Sequence, residues 1–82
     1  MTRGEVVKIT NEFLINDIEI DEAVLNNENS KLKEDLKIDS FDFVDIVVIV
    51  EKNFGFKIKP EEMSTVTTLG QFYDYVFSKV KD

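Results

Sequence analysis

The stretch Asp35 to Phe54, DLKIDSFDFVDIVVIVEKNF, decides the fold of this chain. It reads as a lead-in followed by one long helix, with Asp39 as the N-cap. The Asp39 carboxylate accepts backbone donors, and Asp42 three residues on gives an acidic version of the capping box. Ser40 then falls at the first helical position, where the field of the helix favours a bound phosphate. Gly55 ends the helix as a C-terminal cap.

Plotted at about 100° per residue from Ser40, the side chains of Phe43, Ile46, Val47, Val50 and Phe54 share an arc from about 240° to 340°. That arc is the expected buried face. The opposite side carries Phe41, Asp42, Val44, Asp45, Val48, Ile49 and Lys52. A merely solvated face has no need of so many large apolar groups. An apolar centre with a charged rim suits docking to another protein. The competing reading buries both faces under neighbouring helices. In so small a domain only part of the second face can be covered.

Upstream, Thr2 and Glu5 form a capping box for a helix over about Arg3 to Ile15, with Val6, Ile9 and Phe13 joined by Val7, Thr10 and Leu14 at helical spacing. Its β-branched residues lend little intrinsic propensity, so this helix depends on packing. Residues Asn16 to Glu34 form a long connection, the kind that marks function or a distance to be spanned. Within it, Ile18 and Ile20 alternate with acids but face no convincing strand partner. Asp21 to Leu25 suits one short helical turn, and Asn26 to Ser30 is turn-like. Downstream, Phe54, Phe56 and Ile58 plug the core from a loop. Pro60, Glu61 and Glu62 open a short helix that ends by about Thr65. Thr68 and Gln71 form a T-x-x-Q box for a last helix carrying Leu69, Phe72, Tyr73, Val76, Phe77 and Val80 to the terminus. The predicted fold is all-α. It is a small four-helix bundle in a single domain over residues 1–82, with three main helices, a short third helix and a long loop after the first.

Composition narrows the function. With 82 residues the chain suits one domain of modest stability. It holds 17 acidic and 10 basic residues, a formal charge of -7. That charge argues against nucleic acid and favours partners with basic patches. It also keeps a small protein soluble and monomeric. There is no Cys and no His, so disulfides, thiolate or histidine chemistry and the usual zinc sites are out. No activating base accompanies Ser40, so no catalytic residue is expected. Residues Asp35 to Ile46 lack the central Gly and final Glu of a calcium loop, and no metal site is assigned. Asp39, Asp42 and Asp45 are at most weak surface attractors of divalent ions. The N-terminus lacks a signal-peptide pattern, and the longest apolar run, Ile46 to Val50, is far too short to span a membrane. The default location is the cytoplasm.

Residues 39–47, D-S-F-D-F-V-D-I-V, resemble the attachment motif of acyl carrier proteins, D-S-L followed by an acidic helix. Glu34-Asp35-Leu36 is similar to the family's E-D-L lead-in. Leu32 falls where the family often has a Phe packed from the long loop. Glu51, Phe54, Ile58, Glu61-Glu62 and Val66-Thr67-Thr68-Leu69 continue the match in constant register over about residues 28–77. The resemblance implies a bundle of acyl-carrier type that serves separate enzymes and is not itself one. It implies that Ser40 receives 4′-phosphopantetheine from coenzyme A through a phosphopantetheinyl transferase, and that acyl groups ride as thioesters on the arm in fatty-acid or related lipid synthesis. It implies that Asp39 supports attachment. Asp42, Asp45 and Glu51 would meet basic patches on acyl-transferring and acyl-modifying enzymes, with Phe41, Val44 and Val48 as apolar contacts.

The chain also departs from the family. Phe41 replaces the usual Leu, Lys37-Ile38 replaces a common Gly-Ala, and Lys52 stands where another acid is frequent. Lys59 precedes Pro60, one place later than the family's usual Pro. The aromatics Phe43, Phe56, Phe72, Tyr73, Tyr75 and Phe77 are numerous and compete for space with cargo. Two other readings follow: a specialised carrier of an aminoacyl or polyketide unit, and an acidic docking module whose Ser40 is never modified.

Overall fold

Thr2, Asp39 and Thr68 each start a helix, as their spacing to an acid or amide three residues on predicts. In the computed structural model, which describes residues 1–80, the helices in chain order are α1 (Arg3–Asn16), η1 (Glu22–Asn26), α2 (Ser40–Phe54), η2 (Pro60–Thr65) and α3 (Leu69–Val80). The expected continuation of α3 to the terminus falls, at Lys81 and Asp82, outside the described residues. Both capping boxes of α1 and α2 are closed reciprocally, and Gly55 ends α2 in the left-handed conformation at φ 79°. Gln71 Oε1 accepts from the backbone of both Thr67 and Thr68, and Thr68 Oγ1 accepts from Gln71 N.

η1 and η2 are 3-10 helices rather than α-helical turns. In η2 the β-branched Thr65 and Val66 follow too closely for a regular α-turn to propagate. Ile18 and Ile20 form no strand. The one sheet-like pairing among the described residues joins Lys31 to Thr68 instead.

The core collects Val6, Phe13 and Leu14 from α1, Ile46 and Val50 from α2, and Leu69, Phe72, Tyr73 and Val76 from α3, with Leu25, Leu36 and Ile58 from the connections. Val7 and Ile9 of α1 are only partly buried. On α2 the predicted inner arc holds, but only Ile46 and Val50 are fully covered; Phe43, Val47 and Phe54 are partly buried. Ile49, predicted on the outer side, packs partly against the core. It lies about 60° from Ile46 around the helix, at the edge of the buried arc. Thr10 is fully buried, and its hydroxyl has no hydrogen-bond partner among the described residues.

The long loop is fastened rather than draped. Arg3 forks onto both oxygens of Glu28 at 2.6 and 3.0 Å and reaches Asp74 of α3 at 2.8 Å. Leu69 N donates to Ser30 O, and Gly70 N to Glu28 O, both at 2.8 Å. The start of α3 therefore lies directly against the loop. A Cβ at Gly70 would stand 2.9 Å from Glu28 Oε1 and 3.2 Å from Glu28 O. That carbonyl is held by the Gly70 N–H and cannot retreat without losing a bond. Gly70→Ala is therefore expected to destabilise the protein by about 1–2 kcal/mol in urea unfolding, because overpacking outweighs the roughly 1 kcal/mol of helix propensity gained.

Candidate functional site

The site is set by what leads into α2. Leu32 N donates to Thr67 O at 3.0 Å, tying the loop to the segment before α3. A tight turn follows: Asp35 N and Leu36 N both donate to Lys31 O, Asp35 Oδ2 accepts from Lys31 N, and Ile38 N donates to Leu32 O. Leu36 is buried and anchors the turn. Lys37 takes up the reversal with a left-handed backbone, φ 58°. A lysine there costs about 1 kcal/mol relative to an unstrained residue. Asp39 then caps α2, accepting from Asp42 N at 2.9 Å, while Asp42 Oδ2 accepts from Asp39 N at 3.4 Å.

Ser40 follows as the first helical residue and is exposed. Its hydroxyl has no hydrogen-bond partner among the described residues, and neither the Ser40 nor the Phe41 N–H has an acceptor there. The chain's other serines differ. Ser30 is buried and donates to Val24 O, Ser64 donates to Glu61 O, and Ser78 donates to Tyr75 O. Ser40 thus presents a free hydroxyl beside two free backbone donors at the positive end of a 15-residue helix. That donor set suits a phosphate ester.

Apart from Ile49, the outer face of α2 is as the helical plot predicts. Phe41, Val44 and Val48 are 82%, 62% and 61% exposed and form a row, with Asp45 and Glu51 exposed beside them and Asp42 partly so. None of these acids forms an ion pair with a described residue.

Beside Ser40 opens a cleft of about 620 Å³ between the pre-serine loop and η2. Asp39 and Ser40 stand at its edge, and Leu32, Ile38, Phe43 and Met63 form its apolar wall. The same four side chains border a void of about 20 Å³ that reaches Leu14, Ile46 and Phe72. The numerous aromatics therefore fill the core, but they leave room at its surface.

The η2 wall is held by a cluster on α3. The Tyr75 hydroxyl donates to Glu62 Oε1 at 2.8 Å and Lys79 Nζ reaches Glu62 at 3.1 Å. Lys79 also lies over the Tyr75 ring, and Phe56 packs edge-on against it. The Tyr75 and Lys79 hydrogen bonds hold the Glu62 carboxyl below its ordinary 4.5. Burial and the bond to Glu62 push the Tyr75 phenol up. Among the described residues no group of potential ligands is placed to hold a metal ion, and no helix is long and apolar enough to cross a membrane.

A family model described as the phosphopantetheine attachment site matches residues 8–76. The chain belongs to that family. Its relatives include the acyl carrier protein of Rubrobacter xylanophilus, 34% identical over 76 residues and 93% of each chain. The acyl carrier protein of Thermotoga maritima is 29% identical over 79 residues, 96% of each chain. The all-α bundle is the fold the resemblance implies, and a phosphopantetheine-binding carrier is the general role membership brings.

Of the predicted site residues, the structure gathers Asp39 and Ser40 at the cleft edge and sets Phe41, Val44, Asp45, Val48 and Glu51 in the open, with Asp42 partly covered by the cap it closes. Sequence reasoning missed the Glu62–Tyr75–Lys79 cluster. The i, i+4 spacing of Tyr75 and Lys79 was a signal, but Glu62 lies in another element. The cluster has a pH signature. A carboxyl lowered on folding stabilises above its unfolded value and loses that contribution as pH falls through its folded value. The amide of Val66, which donates to Met63 O in η2, is expected to lose protection against hydrogen exchange as pH drops below 4.5. In Glu62→Gln that acid step is expected to be absent.

Proposed function

We propose that Ser40 is the attachment point of 4′-phosphopantetheine and that the chain carries acyl intermediates as thioesters on that arm, in fatty-acid or related lipid synthesis. The observation that carries this reading is the Ser40 hydroxyl: it alone among the four serines is both exposed and unbonded among the described residues.

The chain's own residues supply position. Asp39 fixes the first turn of α2 through the capping box, which aims Ser40 Oγ into solvent where a transferase can reach it. The free N–H groups of Ser40 and Phe41 would face the phosphodiester. The bound arm supplies a thiol, which this cysteine-free chain lacks. Delivery then rests on tethering, which raises the local concentration of cargo at each partner.

The cleft beside Ser40 supports shelter for an apolar cargo against Leu32, Ile38, Phe43 and Met63. The row of Phe41, Val44 and Val48, rimmed by Asp42, Asp45 and Glu51, is the surface we assign to partner enzymes with basic patches. The phosphopantetheinyl transferase is the first of these.

Incubation with coenzyme A, magnesium and a broad-specificity transferase is expected to add one phosphopantetheine to the intact mass. Ser40→Ala is expected to gain nothing. A wild-type protein that stays unmodified would leave an acidic docking module as the better reading.

A further inference from the structure

We propose that Met63 sets how much of an acyl chain this protein shelters: cargo fills the surface cleft as far as a wall of four side chains, and Met63 is the part of that wall that yields. The proposal rests on the carrier reading above and adds which cargo is accepted.

The wall comes first. Leu32, Ile38, Phe43 and Met63 border both the cleft of about 620 Å³ beside Ser40 and the void of about 20 Å³ on the core side. A chain entering the cleft from Ser40 therefore meets these four before it meets the core. The void has room for about one water-sized group. Leu14, Ile46 and Phe72, which also border it, are buried and come from three different helices. While the wall stands, the cargo stays in the cleft.

Three of the four wall residues sit on tied backbone. Leu32 N donates to Thr67 O, Ile38 N to Leu32 O, and Phe43 N to Asp39 O in the capped first turn of α2, each at 3.0 Å. Ile38 is also branched at Cβ, which restricts its χ1. Met63 differs on both counts. Its backbone belongs to η2, a 3-10 helix with no buried residue and no side-chain N-cap. Among the described residues, the side-chain hydrogen bonds that join η2 to another element are those of Glu62 to Tyr75 and Lys79. The Met63 side chain is unbranched, partly buried and able to refill an irregular gap. A chain that presses on the wall therefore displaces Met63 before the others.

The test loads the protein from acyl-coenzyme A through a broad-specificity transferase, in a series from butyryl to palmitoyl. It reads the melting midpoint of each loaded protein against its unloaded form. In wild type the midpoint is expected to rise by roughly 2–3 °C per sheltered methylene, less than full burial gives, and to level off before palmitoyl. Met63→Ala, which removes the side chain beyond Cβ, is expected to level off about two to three carbons later. Val66→Ala is the control, because Val66 lines the cleft but not the void, and is expected to level off where wild type does. A second readout needs no substitution. The chain has two methionines, Met1 and Met63, so isotope-labelled methionine methyls give two NMR signals. The Met63 signal is expected to move as the chain lengthens and to stop at the levelling length, while Met1 stays in place. A wild-type midpoint that climbs through palmitoyl would overturn the proposal. So would a levelling length unchanged in Met63→Ala or shifted equally in Val66→Ala, or a Met63 signal blind to chain length. Each of these leaves the carrier reading standing. Failure to load any chain would overturn the carrier reading itself.

Discussion

The geometry of the site depends on a short run of backbone hydrogen bonds between the pre-serine loop and the start of α3. Leu32 N to Thr67 O, Leu69 N to Ser30 O and Gly70 N to Glu28 O hold the two segments together. Everything next to Ser40 hangs from that seam. The turn over residues 31–38 begins on it, η2 leads into it, and the cleft lies between those two walls. Without it the loop after α1 would be a long tether, and Asp39 would cap α2 without any fixed relation to the cleft.

The seam is reinforced by side chains that are not individually strong. Arg3 joins α1 to Glu28 and Asp74, and it lies 5.7 Å from the Tyr73 ring centroid. These groups are partly exposed, so each pair contributes little by itself. Their value is geometric: one guanidinium fixes α1, the loop and α3 at one point. Tyr73 is buried and donates to Asn11, and burial pushes its phenol up to about 12. A phenol raised on folding stabilises below its unfolded value, so that contribution is lost as pH rises from about 10 toward 12.

The sequence disclosed the elements better than their connections. Thr2, Asp39, Gly55 and Thr68 announced helix ends because caps are local chemistry, readable within four residues. The buried arc of α2 was readable from its period, and so were the exposed Phe41, Val44 and Val48. The seam was not, because Lys31 and Thr68 are distant in sequence and backbone pairing leaves no side-chain pattern. The left-handed backbone at Lys37 was invisible for a related reason: a lysine carries no signal for that conformation, as a glycine would. Ile49 was misplaced because it sits at the boundary of the buried arc. The freedom of the Ser40 hydroxyl emerged only by comparison with Ser30, Ser64 and Ser78, whose partners the structure supplies.

The central claim is that one hydroxyl, exposed and unbonded at the start of α2, is where the arm is attached. Peptide mapping of the loaded protein by fragmentation mass spectrometry tests it most directly, because the other three serines are internal controls. The account predicts that the phosphopantetheine mass resides on Ser40 in every loaded molecule. Finding it on Ser64 or Ser78, whose hydroxyls are engaged in local bonds, would contradict the account.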